Sequence, residues 1–173
     1  IDRPQRSART SGHVRMALEA VTTPATGQSA TGLHGVTLAL RGGEITGIVG
    51  VAGNGQKALA EVMSGHLRPT KGHIEIDGGK ISAASPLAFM QAGVAYIPED
   101  RNSEGIVGDM AVWENAVLSE SRNAALVKSF TRLDKAACVA AAKKICAAND
   151  VRTQSIYQPA RLLSGGNVQK LLI

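Results

Sequence analysis

A glycine-rich loop between an apolar run and a helix-forming run constrains the fold of this chain more than any other feature. The apolar run covers residues 45–49, and the helix-forming run covers residues 58–63. The order strand, glycine loop and helix is typical of a phosphate-binding loop, because glycines let successive N–H groups converge on an anion at a helix start. We therefore predict a buried strand at 45–49 followed by a nucleotide-binding loop formed by Gly50, Gly53, Asn54, Gly55, Gln56 and Lys57.

Two positions of this loop depart from the full pattern G-x-x-x-x-G-K-[ST]. That pattern places a lysine after the last glycine to meet the β- and γ-phosphates, and then a hydroxyl for Mg²⁺. Here those two places hold Gln56 and Lys57. The side chain of Lys57 points about 100° further round the helix than a lysine in the preceding position would, and its ammonium would repel a metal ion. We therefore predict a degenerate loop, and the sequence assigns no catalytic residue and no metal ligand.

Composition places the chain among ordinary globular domains. It has 173 residues, of which 44% are hydrophobic and 19% charged, and no apolar run reaches the length of a membrane span. A net charge of +5 would suit nucleic acid or phosphate, but basic residues are scattered and aromatic residues make up only 3%, so we predict no nucleic-acid partner. Cys138 and Cys146 lie in a helical stretch, about 12 Å apart, which favours two reduced thiols.

Two further motifs follow the loop. The first, Ile97-Pro98-Glu99-Asp100-Arg101, ends an apolar run at 94–97 that we interpret as a second buried strand. The second is the segment 163–170, in which a serine and two glycines precede a helical run. A hydroxyl and exposed N–H groups at a helix start can hold a phosphate group. The alternatives are a surface turn with a weak Asp100–Arg101 ion pair and a helix cap without a ligand.

In this order and spacing the three motifs resemble the ATP-binding subunits of ABC transporters. More narrowly, they resemble the C-terminal, second cassette of the double-cassette subunits that serve simple-sugar and nucleoside importers. The resemblance implies an α/β, P-loop NTPase-type cassette fragment with a mixed sheet core, an antiparallel β subdomain and an α-helical subdomain. It further implies a RecA-like core with the antiparallel part at 13–99, a helical subdomain at 100–163, and a signature helix at 164–173, before the Walker B segment. Residues 1–12 show no apolar period, and their composition predicts a linker.

The same resemblance implies roles for individual residues. Glu99 takes the Q-loop position that faces the membrane subunits. The signature motif would contact ATP bound to the opposite cassette, and its residues are Leu163, Ser164, Gly165, Gly166 and Asn167. ATP and Mg²⁺ are implied for the assembled parent complex. The implied partners are a second cassette, transmembrane permease subunits and, indirectly, a periplasmic or lipid-anchored solute-binding protein. The implied location is the cytoplasmic face of the membrane.

Two other hypotheses fit the same residues. In the first, the chain is an independent P-loop enzyme such as a kinase, with Lys57 as the phosphate-binding lysine of an irregular loop. In the second, it is a non-catalytic module that docks on membrane subunits through its helical part. Replacement of Lys57 by alanine separates the first of these from the transporter hypothesis, because only an independent enzyme would lose its nucleotide affinity.

Overall fold

The computed structural model describes residues 12–25, 31–81, 85–118, 126–129 and 132–173. The predicted linker at 1–12 therefore lies outside the described residues except for Gly12. The chain divides into two compact units, Ile1–Tyr96 and Ile97–Ile173. Among the described helices, none combines the length and apolar character that crossing a lipid bilayer requires.

The first unit contains an antiparallel sheet of four strands in the order β2-β1-β3-β4. The strands are β1 (Val14–Thr22), β2 (Val36–Arg41), β3 (Lys71–Ile76) and β4 (Gly79–Lys80). Leu18 of the central strand lies opposite Leu38 of β2 on one side and Ile74 of β3 on the other. Such cross-strand apolar pairs fix the register of an antiparallel sheet, because a slip of one residue would turn the pairs to the opposite face.

Two helices share one hydrophobic core with this sheet. They are α1 (Gln56–Met63) and α2 (Pro86–Gln91). Helix α1 ends where the sequence turns to Ser64 and Gly65, and Gly65 has a φ of 80°, which favours glycine. The buried members of this core are Met16, Leu18, Val21, Leu33, Ala58, Val62, Ile74 and Phe89.

The prediction of buried strands at the apolar runs 45–49 and 94–97 is wrong. Neither segment belongs to a strand, and Ile45, Val49 and Ile97 are 80%, 99% and 42% exposed. A strand forms only when a neighbouring strand pairs with its N–H and C=O groups, and within the described residues no strand pairs with either segment. Apolar composition alone was therefore an insufficient signal.

The second unit is mainly helical. Its described residues form the helices α3 (Val112–Ala116), α4 (Lys135–Ala148) and α5 (Gly165–Leu172), a π-helical turn at Arg101–Gly105 and a 3-10 turn at Ala160–Leu162. A short hairpin of β5 (Val127–Ser129) and β6 (Arg132–Leu133) lies inside the region that the sequence predicted as helical. The predicted α/β class, with an antiparallel part and a helical part, is confirmed.

Small residues of α4 build the centre of the second unit. Cys138 and Ala142 are fully buried and pack with Val112 of α3 and Leu171 of α5. Both cysteines are free thiols, as predicted, and burial raises the pKa of Cys146. Asp134 begins α4 by accepting hydrogen bonds from the N–H groups of the first helical turn. This packing places the first residues of α5 at the surface of the unit.

Candidate functional site

The predicted phosphate-binding loop runs directly into α1. Gly53 and Gly55 have φ values of 88° and 93°, which residues with a Cβ rarely adopt. Gly55 precedes the first helical residue and supplies no side chain to cap the helix. Its carbonyl oxygen accepts the hydrogen bond from the N–H of Leu59 at 2.9 Å. Gly53 and Gly55 therefore adopt backbone conformations that favour glycine, although the apolar run before them forms no strand.

The side chain of Gln56 folds back into this loop. Its Nε2 donates to the carbonyl oxygen of Val51 at 3.0 Å, and its Oε1 accepts from the N–H of Asn54 at 3.1 Å. A Cβ on Gly50 would lie 2.6 Å from Gln56 Nε2, so any larger residue there would displace the end of this side chain. The Gln56 amide thus occupies the Asn54 N–H, a donor of the kind that a phosphate-binding loop offers to its ligand, and also bonds the Val51 carbonyl oxygen.

The loop does not fit a magnesium ion. Mg²⁺ is held by oxygen ligands in octahedral geometry, and the position that supplies a hydroxyl in the full pattern is Lys57. Across the described ranges no group of three or more His, Cys, Asp or Glu side chains comes together as a metal site. No step of a reaction is therefore assigned to a metal at this loop.

The signature-like segment forms the exposed start of α5. Ser164 is the residue before the helix, its carbonyl oxygen accepts from the N–H of Val168 at 2.9 Å, and its side chain caps no backbone N–H. Gly165 and Gly166 are exposed, and a Cβ on either would meet nothing within 4 Å. Leu163 packs into the core beneath. The segment therefore presents a hydroxyl and uncapped N–H groups at the positive end of a helix dipole.

The Glu99 segment contacts α5 through residues that the sequence reading did not assign to a site. Glu99 is exposed, and Arg101 beside it donates from Nη1 to Gln169 Oε1 at 2.6 Å. In the π-helical turn a Cβ on Gly105 would lie 2.7 Å from Leu172 Cδ1, which shows how closely this turn packs on α5. Arg101 and Gln169 lie 68 positions apart, so no local sequence pattern could have paired them.

Polar residues of α5 also hold the turn after α4. Lys170 Nζ donates to the Asp150 carbonyl oxygen at 3.0 Å and to its Oδ2 at 2.6 Å, and Asn167 Oδ1 accepts from the N–H of Arg152 at 2.8 Å. The pKa of Asp150 lies below its ordinary value because of the hydrogen bond from Lys170 and the nearby Arg152 guanidinium. Three polar side chains of α5, those of Asn167, Gln169 and Lys170, therefore have partners outside the helix.

The lowered pKa of Asp150 predicts a small pH dependence of stability. A carboxylate with a depressed folded-state pKa stabilises the fold above its unfolded value of about 4, and this contribution is lost as the pH falls through the folded value. We expect the difference in free energy of unfolding between the wild type and Asp150→Asn to shrink from pH 5 to pH 3, with a small amplitude because the pair is exposed. Urea titrations at both pH values measure it, and an unchanged difference would contradict the prediction.

Comparison with known proteins identifies the family of the chain. A family described as ABC transporter matches residues 33–173. The chain is 41% identical over 143 residues to the glucose import ATP-binding protein TsgD13 of Haloferax volcanii, covering 82% of this chain and 26% of that protein. It is 36% identical over 138 residues to the guanosine import ATP-binding protein NupO of Bacillus subtilis, covering 80% and 27%. The chain thus spans about a quarter of the length of these relatives.

Solved structures show the same fold. The dimeric ATP-binding cassette MJ0796 bound to ADP and Pi has a TM-score of 0.69 at 19% identity, over 91% of this chain and 66% of that one. A nucleotide-free ATP-binding cassette from an ABC transporter has a TM-score of 0.67 at 20% identity, over 92% and 66%. At this level of identity the likeness concerns the fold alone, which is that of the P-loop cassettes.

Proposed function

The chain belongs to the ABC transporter family, and we propose that it is the second, C-terminal cassette of a double-cassette subunit that couples ATP hydrolysis to the import of a simple sugar or nucleoside. Relatives named for the import of glucose, guanosine and ribose support this solute class. The proposed partners are a second cassette, transmembrane permease subunits at the cytoplasmic face of the membrane and, indirectly, a solute-binding protein.

The observation that carries the proposal is the contrast between the two glycine motifs. The start of α5 is exposed and uncapped, with Ser164 and two glycines that leave open space around their N–H groups. The loop before α1 is instead closed by the amide of Gln56. The start of α5 suits an anion that another chain presents to it. The loop before α1 has no cation at the position that would hold a phosphate.

In the proposed mechanism the signature is supplied in trans. The opposite cassette holds ATP, and closure brings its γ-phosphate to the start of α5. The Ser164 hydroxyl and the N–H groups of Gly165 and Gly166 then donate to the phosphate oxygens, and the helix dipole favours the negative charge. These donors are fixed by the packing of α5 and need no rearrangement when charge develops. The Glu99 segment would face the permease.

The proposal assigns no productive nucleotide site to the loop of this chain. Without a lysine after Gly55 and without a hydroxyl after that, the loop lacks the cation that contacts the β- and γ-phosphates and the oxygen ligand that holds Mg²⁺. Lys57 begins the helix one residue later than the pattern requires and cannot take that place. ATP and Mg²⁺ would therefore act in the parent complex at the site whose loop belongs to the other cassette.

Titration of the purified chain with Mg-ATP tests these roles. We expect a dissociation constant weaker than about 1 mM and no release of phosphate, with the same result for Lys57→Ala. An independent P-loop enzyme would instead bind ATP below this concentration and lose that affinity in Lys57→Ala. Measurable turnover by the purified wild-type chain would overturn the assignment.

A further inference from the structure

We infer that Asn167 is a positioning residue that fixes the direction in which the Ser164 hydroxyl donates its hydrogen. The inference rests on the proposed role of Ser164 as a phosphate contact in trans. Asn167 Nδ2 lies 3.0 Å from Ser164 Oγ, and Asn167 Oδ1 lies 2.8 Å from the backbone nitrogen of Arg152. One side-chain amide thus bridges the signature serine and the turn after α4.

The backbone contact determines the orientation of this amide. A backbone N–H only donates, so the Asn167 atom facing Arg152 must be the carbonyl oxygen. The NH₂ group then faces Ser164, and it only donates. Ser164 Oγ is therefore the acceptor in that bond, and the hydrogen of its own hydroxyl is not used there.

Ser164 does not cap the start of α5 with its side chain. A serine before a helix ordinarily accepts a hydrogen bond from the second or third backbone N–H of the helix. Ser164 makes no such bond, and its oxygen instead accepts from Asn167 Nδ2. Both the hydroxyl hydrogen and the first N–H groups of α5 are thereby left for an external acceptor, and a donor oriented in advance costs no reorganisation when the phosphate arrives.

A second contact fixes the segment that orients Asn167. Lys170, one helical turn along α5, donates to both the carbonyl oxygen and the side chain of Asp150. The turn containing Asp150 and Arg152 is therefore attached to α5 at two points. This attachment distinguishes Asn167 from a freely rotating surface amide.

Two substitutions of Asn167 separate positioning from a purely structural role. Asn167→Asp keeps an oxygen for the Arg152 N–H but cannot donate to Ser164, whose hydrogen would turn toward the new carboxylate. Asn167→Ala removes both contacts. If Asn167 only stabilises the turn after α4, the alanine variant has the lower kcat of the two. If Asn167 orients Ser164, we expect Asn167→Asp to lower kcat of the full-length subunit with its permease at least as much as Asn167→Ala, by about 10-fold.

A double-mutant cycle with Ser164→Ala completes the test, because it also controls for the added charge. When Asn167 acts through Ser164, Asn167→Asp has no further effect on kcat once Ser164 is alanine. When the charge alone matters, the two effects multiply, and the inference is overturned. It is also overturned if Asn167→Asp leaves kcat unchanged while Ser164→Ala lowers it. If Ser164→Ala itself leaves kcat unchanged, the proposed function fails as well. Equal unfolding midpoints confirm that all variants are folded.

Discussion

Gly165→Asp is expected to abolish most of the ATP hydrolysis of the assembled transporter while leaving the fold of this chain intact. A Cβ on Gly165 would meet nothing within 4 Å, so the new side chain has room. An aspartate in the first turn of a helix is stabilising by about 0.3–1 kcal/mol through the helix dipole. The same carboxylate would occupy the place proposed for the γ-phosphate of the opposite cassette. Repulsion and loss of the donors should lower kcat by about 100-fold.

The measurement pairs phosphate release with denaturant unfolding. Gly42→Asp is the matched control, because it makes the same change in a turn of the other unit, where the nearest contact of a new Cβ is Arg15 Cγ at 3.5 Å. We expect the control to hydrolyse ATP at the wild-type rate. A Gly165→Asp variant that is folded and fully active would exclude a trans contact at the start of α5. A variant that unfolds would show instead that this glycine has a structural role.

Local signals in the sequence predicted the elements whose determinants are themselves local. The glycine pair after Arg41 is one such local signal, and it forms a turn with Gly43 at a φ of 79°. Helix α1 ends at Met63, where Ser64 and Gly65 follow, as predicted. Each of these features depends on backbone conformations that a single residue type favours. No distant partner is needed to specify them.

Features that depend on distant partners were missed. The apolar residues at 45–49 indicated a buried strand, yet burial of a strand depends on neighbours that lie elsewhere in a sequence. The hydrogen bonds of Gln56 within the loop were missed for another reason. They are local, and the sequence showed that a lysine was missing, but no pattern of residue types gives the position of a side-chain amide. The contact of Arg101 with Gln169 likewise joins two surface residues that no periodicity relates.

The glycine motifs could be found in the sequence because each consists of residues that follow one another in the chain. Ser164 and the two glycines after it predicted an exposed helix start, and α5 begins at Gly165. Their predicted contact with ATP stays a prediction, since it requires a second cassette. The supporting residue Asn167 was assigned to the motif by resemblance alone, and only the structure gives its two hydrogen bonds.

The core of the first unit should be most sensitive at Phe89. The ring is fully buried, and a Cβ on Gly65 would lie 2.6 Å from its Cδ2, so the ring packs directly against a backbone that carries no side chain. Phe89→Ala removes these contacts and leaves a cavity that this close-packed core fills only in part. We expect the free energy of unfolding to fall by about 3–5 kcal/mol.

Met90→Ala provides the control for this change. Met90 follows Phe89 in α2 but is 51% exposed, so its truncation should cost less than about 1 kcal/mol. Both variants keep α2 helical, since alanine is the strongest helix former. Urea unfolding followed by far-UV circular dichroism measures the two losses. Equal losses would mean that α2 presents a different face to the sheet, because the unequal effects are predicted from the burial of Phe89 and the exposure of Met90.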